Sequence, residues 1–208
     1  MPKLYLASAS PRRHQLLQQL SISCEVLHAD IDETPRPKEL PEDYVQRLAM
    51  EKAKAVYATL RIAPYVEKPV AFLVLGADTA VVLEQQIFGK PEHAEDAHNM
   101  LRQLSGCRHQ VMSAVTLLES REQAQNLPLI HQALNVTTVQ FRQLNNTEID
   151  DYIATGESFG KAGAYAVQGF AATFIQSLHG SYSGVMGLPL FETANLLQKA
   201  GFNLLPSK

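Results

Sequence analysis

The run from Val70 to Leu75, unbroken in apolar residues and followed by Gly76, Ala77, Asp78 and Thr79, constrains this chain more than any other stretch. A continuous segment rich in Val and Leu reads as a strand covered on both faces, although periodicity alone does not separate it from a buried helix segment. Such a strand sits centrally in a layered sheet with helices over it. The end of a central strand is where α/β folds place ligands and chemistry. Asp78, read as standing at that end, is therefore either a turn opener or a functional carboxylate. In a regular strand Phe72, Val74, Gly76 and Asp78 share a face, so that Gly76 leaves room for a ligand beside the carboxylate while Thr79 projects to the other side.

Around this strand the sequence alternates strand-like and helix-like segments. Lys3 to Ala7 reads as a first strand, and Ser8-Ala9-Ser10-Pro11 turns into a helix with Ser10 as N-cap and Pro11 at its first position. Arg12 and Arg13 stand at that helix start, where cations oppose the helix dipole, yet free N–H groups and guanidinium forks together suit a phosphate. Cys24 to His28 reads as a second strand, and Asp30 to Pro37 as an acidic, proline-broken loop. A helix follows from Pro41 to about Leu60. On its wheel Val45, Leu48, Ala49 and Val56 form one arc with Lys52 in the middle, so Lys52 either snorkels or turns its ammonium inward toward an anion. Ala80 to Leu83 and Ile87 to Pro91 flank a hairpin turn at Glu84 to Gln86, and a helix from Glu92 to Leu104 ends at Ser105-Gly106. His109 to Leu118 and Leu129 to Phe141 read as a β-hairpin arm with a polar tip at Glu119 to Asn126. A short helix at Asn146 to Ala154, a glycine-bearing stretch at Gly156 to Gly169, a strand at Thr173 to Leu178 and a last helix at Leu188 to Ala200 complete the chain. The pattern predicts an α/β fold with a mixed, twisted sheet flanked by helices.

Bulk properties narrow the function classes. The 208 residues suffice for one good-sized core or two small lobes, and 46% apolar with 19% charged residues is ordinary for a globular protein. A net charge of −3 provides no positive field for nucleic acid. No apolar stretch approaches the ~20 residues of a membrane span, and the start shows no signal-like core, so the expectation is a cytoplasmic protein without membrane partners. Cys24 and Cys107 form no metal knuckle, and the histidines read as surface or loop residues.

Gly156 to Ala162 imitates a phosphate loop but has three residues between its glycines and ends in Ala162, so it is not a Walker motif. There remain dispersed cations, Arg12, Arg13, Lys52, Lys90 and Lys161, set against Glu33 and Asp78. That balance suits a polyphosphate with a divalent metal, the cations holding phosphate oxygens while a carboxylate orients or deprotonates a water.

The loop Ser8 to Arg13, the runs Gly76-Ala77-Asp78-Thr79, Gly89-Lys90-Pro91 and Leu104-Ser105-Gly106, the segment Lys161 to Gly169 and the ending Gly187-Leu188-Pro189-Leu190 resemble, in order, the Maf family of nucleoside triphosphate pyrophosphatases. The resemblance spans almost the whole chain, read as a single Maf-like domain (residues 1–208) with two lobes around a central cleft and an ITPase-like fold. It implies hydrolysis of a nucleoside triphosphate to the monophosphate and pyrophosphate with a divalent cation (Mg²⁺, Mn²⁺ or Co²⁺), commonly in a homodimer. It makes Asp78 the proton acceptor for the attacking water. It places Ser8, Arg13, Lys52, Lys90 and Lys161 around the phosphates, and Glu33 with Asp78 at the metal. Arg12, Thr79 and Gln168 match the positions that separate substrates and resemble the dTTP/UTP branch, since an amide can both donate to and accept from a base edge. Gly160 and Gly184 depart from the residues usual at their positions, Asp and Asn. A regulator that senses nucleotides, and less so a nucleic-acid binder using the Arg12-Arg13 helix, are the competing readings.

Overall fold

The structure, a computed structural model, describes residues 2–62, 71–120 and 127–204. Most of the hairpin tip expected at Glu119 to Asn126 lies outside them, as does Val70. The strands are β1 (Lys3–Ala7), β2 (Glu25–Leu27), β3 (Phe72–Leu83), β4 (Gln86–Phe88), β5 (Arg108–Glu119), β6 (Leu129–Phe141) and β7 (Ile175–His179). The helices are α1 (Pro11–Gln19), α2 (Pro41–Ile62), α3 (Ala94–Leu104), α4 (Asn146–Ala154), α5 (Tyr182–Met186) and α6 (Leu190–Lys199). All seven strands form one mixed sheet in the order β2-β1-β3-β5-β6-β7, with β4 on the free part of β3. The mixed α/β architecture expected from the alternation of segments is what the chain adopts.

β3 is buried along nearly its whole length, as its unbroken apolar run requires. On one face Tyr5, Phe72 and Val74 pack under Ala53, Val56 and Tyr57 of α2. On the other, Leu4, Leu6, Leu73, Leu75 and Ala77 meet Leu16 and Leu17 of α1 and Leu196 and Leu197 of α6. A separate apolar group joins Val81 and Phe88 to α3, α4 and the Phe141, Tyr165 and Phe174 rings. The cleft opens between these groups.

Four expectations need correction. Asp78 does not end a strand, because β3 continues to Leu83. What ends is its neighbour: parallel pairing with β1 stops at Ala7 opposite Gly76, and antiparallel pairing with β4 starts at Val81. Residues 77–80 therefore have β5 on one side and no strand on the other, a notch in the sheet. Gly76 leaves no room for a ligand either. A Cβ there would lie 2.2 Å from the Ala49 carbonyl oxygen and 2.8 Å from the Ala53 nitrogen, so the missing side chain lets α2 lie directly on β3. The hairpin β5–β6 is no projecting arm, since β5 pairs with β3 from Glu119 to Gln110 and lies in the middle of the sheet. His109 is not a surface residue: it is buried in β5, hydrogen-bonded through Nε2 to the Tyr165 hydroxyl at 3.0 Å, and burial pushes its pKa down to about 4.

Candidate active site

The notch in β3 opens into a cleft of about 540 Å³, within the usual range for small-molecule sites. Ser8, Arg12, Arg13, Glu33, Lys52, Asp78, Thr79, Lys90 and Lys161 all line it. Gln168 alone of the anticipated residues is not in the lining. It stands exposed at the rim, and with its amide oxygen turned inward it accepts from Arg12 Nε at 2.7 Å, Nη2 at 2.9 Å and Nη1 at 3.1 Å. Because the cleft lies at a sheet edge, it receives side chains from both faces of β3, so Asp78 and Thr79 reach the same space from opposite sides.

Lys52 turns inward. It and Asp78 are both buried, and its ammonium bridges Asp78 Oδ1 and Glu33 Oε1 at 2.6 Å each. The helix wheel put it on the buried arc of α2, and the closeness of α2 to β3 at Gly76 brings it within reach of Asp78. Its partners are the Glu33 and Asp78 carboxylates, so the inward reading of Lys52, an ammonium turned toward an anion, is the one the structure adopts. Glu33 belongs to the loop before α2, and its backbone oxygen accepts the Tyr44 hydroxyl at 3.0 Å. Burial works against the Glu33 carboxylate, but the Lys52 hydrogen bond and charge, then Lys90 and Arg13, hold its pKa below the usual range. Tyr44 itself is pushed up to about 12 by burial and by the nearby Asp78 and Glu33 charges.

The β1–α1 loop supplies the next wall. Ser8, buried at the end of β1, accepts from the Ser10 backbone N–H at 3.1 Å and from Arg13 Nη1 at 3.2 Å. Ser10 is the N-cap as predicted, but its side chain makes no capping bond. With both contacts directed to its oxygen, Ser8 retains its proton for donation. Arg13 also donates through Nε to the Gly187 carbonyl at 2.8 Å, tying the start of α1 to the turn before α6. Burial lowers its pKa, against the attraction of Asp78 and Glu33.

Lys90 and Lys161 come from two loops stitched together by the Gly163 N–H to the Gly89 carbonyl at 3.0 Å. Gly163 has φ +66° and lies against Val81, where a Cβ would approach to 2.9 Å. Burial and then the Arg12 charge lower the Lys161 pKa, partly offset by Glu157. Glu157 was passed over along with the false phosphate loop. Its carboxylate accepts the Tyr152 hydroxyl at 2.9 Å and the Phe170 and Ala171 N–H groups at 2.9 and 3.3 Å, fixing the segment that carries Gln168. Tyr44, Ser113 and the Gly187 carbonyl were likewise missed, and only the placement of Tyr44 two turns before Lys52 on the same helix, α2, offered a signal.

Among the described residues no group of three or more His, Cys, Asp or Glu converges as a metal cage. Glu33 and Asp78 nevertheless suit a cation of the magnesium kind, which is held by one or two carboxylates together with substrate phosphates and water.

A family model described as Maf-like protein matches residues 3–200. A protein of Anaeromyxobacter dehalogenans named dTTP/UTP pyrophosphatase is 49% identical over 203 residues, covering 98% of this chain and 96% of the relative. One of the same name from Xanthomonas campestris pv. campestris is 50% identical over 198 residues, covering 95% and 98%. Among solved structures, the Staphylococcus aureus Ham1 protein covers 95% of this chain and 97% of its own at 11% identity and a TM-score of 0.41, too distant to carry an argument. The family match and full-length relatives agree with the order of the loop motifs around the cleft, and the chain belongs to the Maf family.

Proposed function

We propose that this chain is a pyrophosphatase that hydrolyses dTTP and UTP to the monophosphate and pyrophosphate, the activity for which its relatives at about half identity are named. The observation that carries the reading is the meeting of one buried carboxylate, Asp78, with cations from four separate segments in a cleft at the sheet edge. In this reading Arg13, Lys52, Lys90 and Lys161 hold the phosphate oxygens while Ser8 donates its free proton. Lys52 engages Asp78 Oδ1, which leaves Oδ2 to take a proton from water aimed at the α-phosphorus. The attacking oxygen bonds to phosphorus as the bond to the bridging oxygen breaks, and pyrophosphate departs with that oxygen. A divalent cation held between Glu33, Asp78 and the phosphates would neutralise the developing negative charge. Arg12, Thr79 and Gln168 read the base. A single domain with two lobes, a cytoplasmic setting and a homodimer belong to the same reading and rest on the family resemblance. No described helix is long and apolar enough to cross a membrane.

The test is pyrophosphate release against a panel of nucleoside triphosphates with Mg²⁺, Mn²⁺ or Co²⁺. UTP and dTTP should lead the panel, and Asp78→Asn should lose ~10²-fold or more of kcat while still binding nucleotide. Full turnover by Asp78→Asn would remove Asp78 from the mechanism. Nucleotide binding without turnover in the unsubstituted protein would favour a sensing role.

A further inference from the structure

The Thr79 hydroxyl is not free to choose between donating and accepting. Thr79 and Ser113 are direct cross-strand partners on β3 and β5, with their Oγ atoms 2.6 Å apart. Ser113 is fully buried, and its Oγ also lies 2.7 Å from the Gly184 carbonyl oxygen on α5. A carbonyl only accepts, so the single Ser113 proton goes to Gly184. The short contact between the hydroxyls then requires the Thr79 proton, donated to Ser113. The other acceptor near Thr79, the Gly187 carbonyl oxygen, lies 3.4 Å away and already takes the Arg13 Nε–H at 2.8 Å. That long contact competes weakly, so it is Ser113 that turns the Thr79 proton into the protein. Thr79 Oγ1 offers the cleft lone pairs alone.

We propose that Ser113 is a positioning residue for base selection. By holding Thr79 as an acceptor, it favours a pyrimidine whose ring nitrogen carries a proton, the N3–H of uracil or thymine, over cytosine, whose N3 is itself an acceptor. This rests on the reading of the cleft as a dTTP/UTP site with Thr79 at the base. An unrestrained threonine hydroxyl would rotate to serve either base and separate them poorly. A restrained one leaves two acceptors facing each other when cytosine enters, and an unmatched polar contact is what gives a site strong discrimination. Arg12 acts on Gln168 in the same sense, occupying its oxygen and leaving the NH₂ as a donor that suits the C4 carbonyl of uracil or thymine, where cytosine carries an amino group.

The experiment compares kcat/KM for UTP and CTP in the unsubstituted protein, Ser113→Ala, Thr79→Val and the double variant. Ser113→Ala should lower the UTP-to-CTP ratio by ~10-fold or more. In the Thr79→Val background the same change should leave the ratio where Thr79→Val alone puts it. A ratio unchanged within about twofold in Ser113→Ala, or a shift that persists without the Thr79 hydroxyl, overturns the proposal and leaves the pyrophosphatase reading standing. Failure of the unsubstituted protein to cleave UTP or dTTP overturns both. N3-methyl-UTP, which lacks the proton, gives a measurement independent of variant folding. Cleavage with CTP-like efficiency is expected, and UTP-like efficiency overturns the proposal.

Discussion

Lys52 carries two interactions that pull on one ammonium, and both partners are acids the proposed chemistry needs. Breaking a buried pair from one side leaves the other charge uncompensated, so Lys52→Met should cost about 3 kcal/mol in urea unfolding at neutral pH. The pH dependence has a defined sign. Glu33 has a pKa held below the ordinary range in the folded protein, in large part by Lys52, although burial opposes it. Its contribution is present above the unfolded value and is lost as pH falls through the lowered one. In Lys52→Met the Glu33 pKa moves back toward its unfolded value, so that acid-side loss should shrink. The deficit in urea midpoint relative to the unsubstituted protein should then narrow as pH falls through the carboxylate range. A deficit of the same size at every pH would mean that Lys90 and Arg13 hold the Glu33 pKa down without it. Half of this was legible in the sequence: the wheel puts Lys52 on the apolar arc of α2, but it leaves snorkelling and an inward ammonium as alternatives. Its partners were not legible, since Glu33 and Asp78 lie on segments whose approach depends on how helix and sheet pack.

At the scale of elements, the contact of α2 with β3 decides where Lys52 and Asp78 meet, and Gly76 decides how close that contact is. Ala49 and Ala53, which Gly76 faces, bracket Lys52 on the helix. Gly76→Ala must therefore lift this part of α2, and overpacking of this kind costs about 1–3 kcal/mol. Activity at a temperature where the variant is fully folded should fall ~10²-fold, because a displacement of about 1 Å is enough to misplace a catalytic pair. A variant that is destabilised yet fully active would show that the site tolerates a different helix seat. The strands and most helices were readable from periodicity and caps, as with Pro11 and the Ser105-Gly106 end of α3. The end of β3 was misread because the polar pair Asp78-Thr79 interrupts the apolar run although the strand continues to Leu83, and the boundary that falls there belongs to β1, far earlier in the chain. His109 was misread for a related reason, since a histidine inside an alternating strand shows its burial only when the facing Tyr165 is placed.

For the whole molecule, the cleft is a meeting place of segments distant in sequence, and the order of family motifs was what made its residues legible together. Local pattern alone could not bring Arg12 to Gln168 or Thr79 to Ser113, because those contacts depend on strand register and loop packing. Assembled, the cleft lining holds Arg12, Arg13, Lys52, Lys90 and Lys161 against Glu33 and Asp78. The repulsion is visible in Lys161, whose pKa falls through burial and then through the Arg12 charge. An empty cleft therefore retains unbalanced positive charge drawn from both of its walls, and a polyphosphate that bridges the walls relieves it. A non-hydrolysable UTP analogue at a hundred times its dissociation constant should add about 2.7 kcal/mol of stability, read as a rise in Tm. Added salt should shrink the rise at fixed analogue concentration, because screening weakens the attraction between the cations and the phosphates. Uridine should give little at the same concentration. An equal rise with uridine would mean that the base, rather than the phosphate chain, holds the two walls together.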